Sequence, residues 1–142
     1  MVFRGQPAMF NNSKGFALHE LLIAVIILGI LVSLAIPRFV KTFEVARADQ
    51  ARAALRQIAS GERVYRSGNG FFYPNPPGAA NAAQIQTNLS VMLDEGINWN
   101  YSLVTTSADN FTATASRTAG GNAGQTITID ETDIIDESGW TP

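Results

Sequence analysis

Residues 14–37 read KGFALHELLIAVIILGILVSLAIP, an apolar run broken near its start by one carboxylate, Glu20. Leu21 to Ile36 is apolar all round, which suits lipid or the packed core of an assembly. An ionised side chain costs roughly 2.5–3.5 kcal/mol at the centre of a membrane helix, so a carboxylate inside such a run usually has a task. Past Pro37 the pattern turns amphipathic. Phe39, Phe43, Ala46, Ala53 or Ala54, Ile58 and Tyr65 recur near helical spacing, with Lys41, Glu44, Arg47, Asp49, Arg52 and Arg56 between them. The reading is one helix from Phe16 to Arg66, roughly 75 Å long at 1.5 Å per residue. Its first half, residues 16–37, is expected to protrude and to bury itself in a membrane or in copies of itself. Its second half, residues 38–66, is expected to lay its apolar face on a globular head. Pro37 lacks the N–H that would bond the Ser33 carbonyl, and Gly29 weakens its turns by up to about 1 kcal/mol relative to Ala, so a kink or loosening is expected there.

Lys14-Gly15 before the run, Phe16 at its start, Glu20 at the fifth position counted from Phe16, and then Gly29 and Pro37 carry a resemblance. The segment resembles the N-terminus of a type IV pilin or type II secretion pseudopilin precursor. The resemblance implies cleavage between Gly15 and Phe16 and methylation of the new Phe16 amine by a prepilin peptidase/methyltransferase. Residues 1–15 are then a removed leader, a processing segment rather than structure, with Met1 and Met9 both open as the start. It also implies insertion into the inner membrane as a precursor, contact with an inner-membrane assembly platform, and polymerisation into a helical homo-oligomeric filament. In such a filament Glu20 of one subunit is expected to pair with the Phe16 amine of its neighbour, and the stretch between Gly29 and Pro37 to melt and extend. A competing reading is a secretory signal cut at Ser33-Leu34-Ala35, with a secreted binding domain or hydrolase behind it. Against it, the run is long for a signal, Glu20 is misplaced, and Pro37 would sit just after the cut.

The chain has 142 residues and a net charge of −2, distributed unevenly. Arg38 to Arg66 carries seven basic and three acidic residues, whereas from Ser67 onward Arg117 stands alone against eight. Such a split points to interaction surfaces. Copies stacked with an axial offset could set Arg47, Arg52 and Arg56 against the Asp130–Glu137 cluster of a neighbour; the rival reading closes these charges within one chain. Residues 67–142 suffice for one modest head if the helix lends it a face. Ser67-Gly68-Asn69-Gly70 should stop the helix, and Pro74, Pro76 and Pro77 forbid regular structure after it. Ala83 to Leu93 is a candidate short helix. Trp99, Tyr101, Leu103 and Thr105, then Phe111, Ala113 and Ala115, then Ile127 and Ile129 alternate with polar neighbours as half-buried strands do, and turn-rich segments separate them. The expected class is α+β: a long N-terminal helix packed on a small antiparallel sheet of about three to four strands.

Candidate chemistry is sparse. There is no cysteine, which removes thiol catalysis, iron–sulfur clusters and cysteine-based zinc sites. Many pilins close a C-terminal loop with a disulfide, so this chain must hold that region by packing, hydrogen bonds or a metal. Asp130, Asp133 and Asp136 are weak calcium candidates, since closely spaced carboxylates suit that ion while their spacing is not an EF-hand loop. The only histidine, His19, adjoins Glu20, but helix neighbours point about 100° apart, so headgroup or subunit contact is the better reading than acid/base work. No serine or threonine has a His/Asp partner, and no Gly-rich loop cradles phosphate. The chain is therefore read as a non-enzymatic filament subunit, without cofactor and with no nucleic-acid partner. The first expectation is a major type IV pilin on the cell surface, for adhesion or motility; the alternative is a major pseudopilin of a type II secretion system, in the periplasm.

Overall fold

The computed structural model describes Met1, residues 13–94 and residues 96–142. Most of the expected leader, residues 2–12, lies outside the described residues. The chain divides into two compact units, Met1–Val40 and Lys41–Pro142. Helix α1 runs through both, from Ser13 to Asn69, and stays helical through Gly29 and Pro37. It stops where the Ser67–Gly70 run makes continuation costly: Gly70 takes a left-handed φ of 83° and its N–H donates to the Arg66 carbonyl.

In the second unit, strand β1 (Ala79–Asn81) leads directly into helix α2 (Ala82–Leu89), followed by β2 (Trp99–Ser107), β3 (Asn110–Arg117), β4 (Thr126–Asp130) and β5 (Ile135–Asp136). The five strands form one antiparallel sheet in chain order. The fold is thus α+β, a long N-terminal helix with a small antiparallel sheet, and the three strands with clear two-residue alternation lie where that alternation places them. The sheet gains two edge strands beyond them. At three and two residues, β1 and β5 are too short to show a period. Asn81 starts α2 with a reciprocal cap: its side chain accepts from the Gln84 N–H, and the Gln84 side chain accepts from its own N–H, each at 3.0 Å. Ser90, at φ 53°, ends α2 after Leu89, four residues short of the expected end at Leu93.

Register brings the inward residues into rows across the sheet. Tyr101 pairs with Ala115 and Ala115 with Ile127; Leu103 pairs with Ala113, Ala113 with Ile129, and Ile129 with Ile135. These side chains form one core with Ala48, Ala51, Leu55, Ile58 and Ala59 of α1 and with Ile85 and Leu89 of α2. Each large apolar side chain so buried contributes about 1.5–3 kcal/mol. The helix face differs from the expected one. Ile58 and the half-buried Ala54 and Tyr65 face the core, but Phe39 and Phe43 are 61% and 62% exposed, and Ala46 and Ala53 are exposed. Two stripes at helical spacing compete on α1. The one that packs in the head carries three alanines, whose small side chains let the sheet approach closely.

Candidate functional site

The N-terminal site is a helix surface rather than a cleft. Gly15 and Phe16 lie on the backbone of the first turns of α1. From Leu18 to Ile36 every large apolar residue is exposed, between 46% at Ile23 and 72% at Leu18. Among the described residues this is the one helix long and apolar enough to cross a membrane. His19 and Glu20 are exposed on the same stretch. A Cβ placed on Gly29 would meet nothing within 4 Å, so no packing among the described residues requires glycine there.

The head holds its own polar groups, and sequence reading missed two of them. Arg117 is 4% exposed although charged. Its Nε and Nη2 donate to the two carboxylate oxygens of Glu44 at 3.2 Å each, and its Nη1 donates to the Asn98 carbonyl at 2.7 Å. Trp99, paired with Arg117 across the sheet, donates its indole N–H to the Arg47 carbonyl at 2.9 Å. These bonds pin α1 to the end of the sheet where β2 starts and β3 finishes, and the Arg117 guanidinium holds the Glu44 carboxyl below its ordinary range. The signal was available: Arg117 continues the inward alternation of Phe111, Ala113 and Ala115.

Glu62 is the second. It is wholly buried on the core face of α1. Its Oε2 accepts from the Tyr73 N–H at 2.9 Å, while its Oε1 has no hydrogen-bond partner. Burial pushes its carboxyl up to about 7. Tyr65 stacks edge-on with Phe71 and Tyr73, and Phe72 packs edge-on against Phe111, so aromatic packing anchors the loop that supplies the one N–H. Glu62 falls at helical spacing from Leu55 and Ile58, which was its signal in the sequence.

The acidic C-terminal residues are not brought together as a metal centre. Asp130 accepts from the N–H and hydroxyl of Thr132, Asp133 pairs with Arg63 at 3.1 Å, and Asp136 accepts from the Ser138 N–H at 2.8 Å. Among the described residues no group of three or more His, Cys, Asp or Glu could hold a metal ion. The three calcium candidates instead serve separate turns and an ion pair. The charge split closes in part within one chain: Arg52 pairs with Glu137, Arg63 with Asp133, and Arg66 with Asp109.

No curated protein and no solved structure gives a significant match to the chain. A family model described as the prokaryotic N-terminal methylation motif matches residues 10–36. The matched span contains Gly15, Phe16, Glu20 and Gly29 and stops one residue before Pro37. Motif, apolar exposed helix and α+β head agree, and the chain carries at residues 10–36 the methylation motif that is the signature of prepilins and pseudopilins.

Proposed function

We propose that this chain is a non-enzymatic structural subunit of a type IV pilus-like filament, made as a membrane-anchored precursor and processed between Gly15 and Phe16. One observation carries the reading: a single carboxylate, Glu20, stands at the start of an exposed apolar helix surface within the matched motif. That surface is unfavourable in water and calls for lipid or for the same helix of other subunits. Cleavage leaves a positive amine on Phe16. A carboxylate entering an apolar environment is strongly disfavoured unless it meets such a charge, so Glu20 of an incoming subunit pairs with the Phe16 amine of its neighbour and sets axial register. Before assembly the helix anchors the precursor in the inner membrane; afterwards it forms the filament core, where Gly29 and Pro37 permit local unwinding. The filament is a surface fibre for adhesion or motility.

Intact mass spectrometry of filaments tests the processing step. The expected species is residues 16–142 carrying one methyl group; a mature N-terminus at Ile36 overturns the reading in favour of a secreted domain. Glu20→Leu is expected to leave cleavage and membrane insertion intact and to reduce fibre yield at least about tenfold, since losing one such charge pairing exceeds 1.4 kcal/mol. Normal fibre yield from that variant as the only copy shows that the pairing is unnecessary.

A further inference from the structure

Glu62 meets no counter-charge among the described residues. Its charged neighbours on α1 turn elsewhere: Arg63 pairs with Asp133 and Arg66 with Asp109, and the Arg66 guanidinium lies 4.6 Å from the centre of the Phe72 ring. Helix α2 carries no titratable residue. The inward titratable groups of the sheet are Tyr101 and Arg117. Tyr101 is a phenol pushed up to about 12 by burial. Arg117 is held by Glu44, which lies roughly 27 Å back along α1 from Glu62 at 1.5 Å per residue. Beside Glu62 stand two further phenols, Tyr65 on α1 and Tyr73 on the following loop, and burial pushes that of Tyr73 up. None of these groups can neutralise a carboxylate at that position.

The segment that supplies the one N–H to Glu62 is short and bounded by two fixed points. At one end Gly70 closes α1 with its N–H on the Arg66 carbonyl. At the other, the Thr105 hydroxyl donates to the Pro74 carbonyl at 2.8 Å and accepts from the Gly78 N–H at 3.2 Å. Between them two backbone groups hold the chain down: the Phe72 N–H on the Ala108 carbonyl at 3.0 Å, and the Tyr73 N–H on Glu62. Phe72 is buried against Phe111, and the rings of Phe71 and Tyr73 lie edge-on to Tyr65. A neutral acid tolerates this enclosure, whereas a carboxylate with one N–H and a bare second oxygen calls for water. Movement of residues 70–73 admits water at less cost than movement of α1, whose same face carries Leu55, Ile58 and Ala59 into the core.

We propose that Glu62 is a proton-controlled latch on residues 70–73: the neutral acid lets the segment lie closed on α1, and loss of the proton favours an open form in which Phe72 leaves the core and water reaches the carboxylate. The latch belongs to the head and stands whether or not the chain assembles. Its direction follows from linkage. In the open form the carboxyl returns to its ordinary 4.5, against about 7 in the closed form. The open form therefore gains between those values and levels off above them, on the order of fiftyfold from pH 5 to pH 8.

Amide hydrogen exchange of the full chain in detergent, with each rate corrected for the direct effect of pH on amide chemistry, reads this balance. Protection at Phe72 and Tyr73 is expected to fall on the order of fiftyfold from pH 5 to pH 8. At every pH it is expected to lie below that of Ala113 and Ala115 in β3 and to respond weakly to low urea, as local opening does. Glu62→Gln keeps an acceptor for the Tyr73 N–H and is expected to hold the segment closed with no such pH effect. Glu62→Leu removes the acceptor as well, and is expected to lower protection there by one factor at all pH values. One folded variant of the two suffices, and the wild-type profile decides by itself if neither folds. Protection at Phe72 and Tyr73 that does not change with pH overturns the latch. So does protection equal to that of β3 and falling with urea in step, because the segment then opens only with the whole head. Persistence of the pH effect in either variant assigns it to another group and overturns the latch as well.

Discussion

Glu62 shows how one buried side chain sets a pH dependence. Folding takes its carboxyl from 4.5 to about 7 because burial strips water from it, and the single Tyr73 N–H on one oxygen offsets only part of that loss. A carboxyl raised in the folded state contributes stability that is complete below its ordinary value near 4.5 and is lost as pH rises through about 7. The gap between those values corresponds to about 3 kcal/mol. The wild-type head is therefore expected to lose stability between those pH limits, and Glu62→Gln to remove that slope and to exceed wild type at pH 8 by about 1–3 kcal/mol. Denaturant unfolding of the processed chain in detergent, followed by tryptophan fluorescence at several pH values, checks it; an unchanged slope in the variant contradicts the assignment. Glu44 runs the opposite way. Arg117 lowers its carboxyl, so its contribution is present above the ordinary carboxylate range and is lost as pH falls through the lowered value.

Between elements, the Arg117–Glu44 pair and the Trp99–Arg47 bond join β3 and β2 to α1 at one end of the sheet. Arg117→Met leaves Glu44, 12% exposed at its side chain, without its main partner, and leaves the Asn98 carbonyl without its charged donor. The expected loss is about 2–4 kcal/mol in the same unfolding experiment, with a smaller loss in the double variant carrying Glu44→Leu, because removing both charges strands neither. At the other flank, Gly61→Ala sets a gain against a clash. Alanine favours a helix over glycine by about 1 kcal/mol. The added methyl meets Leu89 at 3.0 Å, and overpacking of this kind costs about 1–3 kcal/mol. The net expectation is a loss of up to about 2 kcal/mol with faster amide exchange confined to residues 89–92; a stabilised Gly61→Ala variant shows that the segment can give way freely.

For the whole molecule, folding joins part of the basic helix to the acidic head through three ion pairs, Arg52–Glu137, Arg63–Asp133 and Arg66–Asp109. Arg52 meets Glu137 and, one turn back, Asp49; hydrogen bonding to Arg52 holds the Glu137 carboxyl below its usual range. Partly exposed pairs of this kind contribute about 0–1 kcal/mol each. Glu137→Lys is expected to lower head stability by about 1 kcal/mol at low salt and by less at high salt, and Arg52→Glu in the same chain to restore most of it. Thermal unfolding over a salt series measures both. Equal losses at every ionic strength show that the effect comes from packing beside Trp140, whose ring lies 5.7 Å from the Arg52 guanidinium carbon, and not from charge.

The apolar run, its lone Glu20, the Gly15-Phe16 junction and the three alternating strands were legible in the residues alone, because each is written in neighbours a few positions apart. Local sterics and the periods of helix and strand suffice to read such features. The prepilin-type motif belongs with them, being a spacing along one segment. Only the tertiary structure decided which stripe of α1 the head would cover. Phe39, Phe43 and Ala46 offered as regular a stripe as Ala48, Ala51 and Leu55, and the choice followed from how closely a sheet can approach alanines. The same holds for β1 and β5, whose few residues pair because longer strands already present an edge. Arg117 and Glu62 satisfy periodicities that normally belong to apolar residues. Burial becomes acceptable for Arg117 because Glu44, 73 positions away, meets it, and for Glu62 because the Tyr73 N–H, 11 positions away, does. Pairing across such distances depends on chain closure and packing, which no local period encodes.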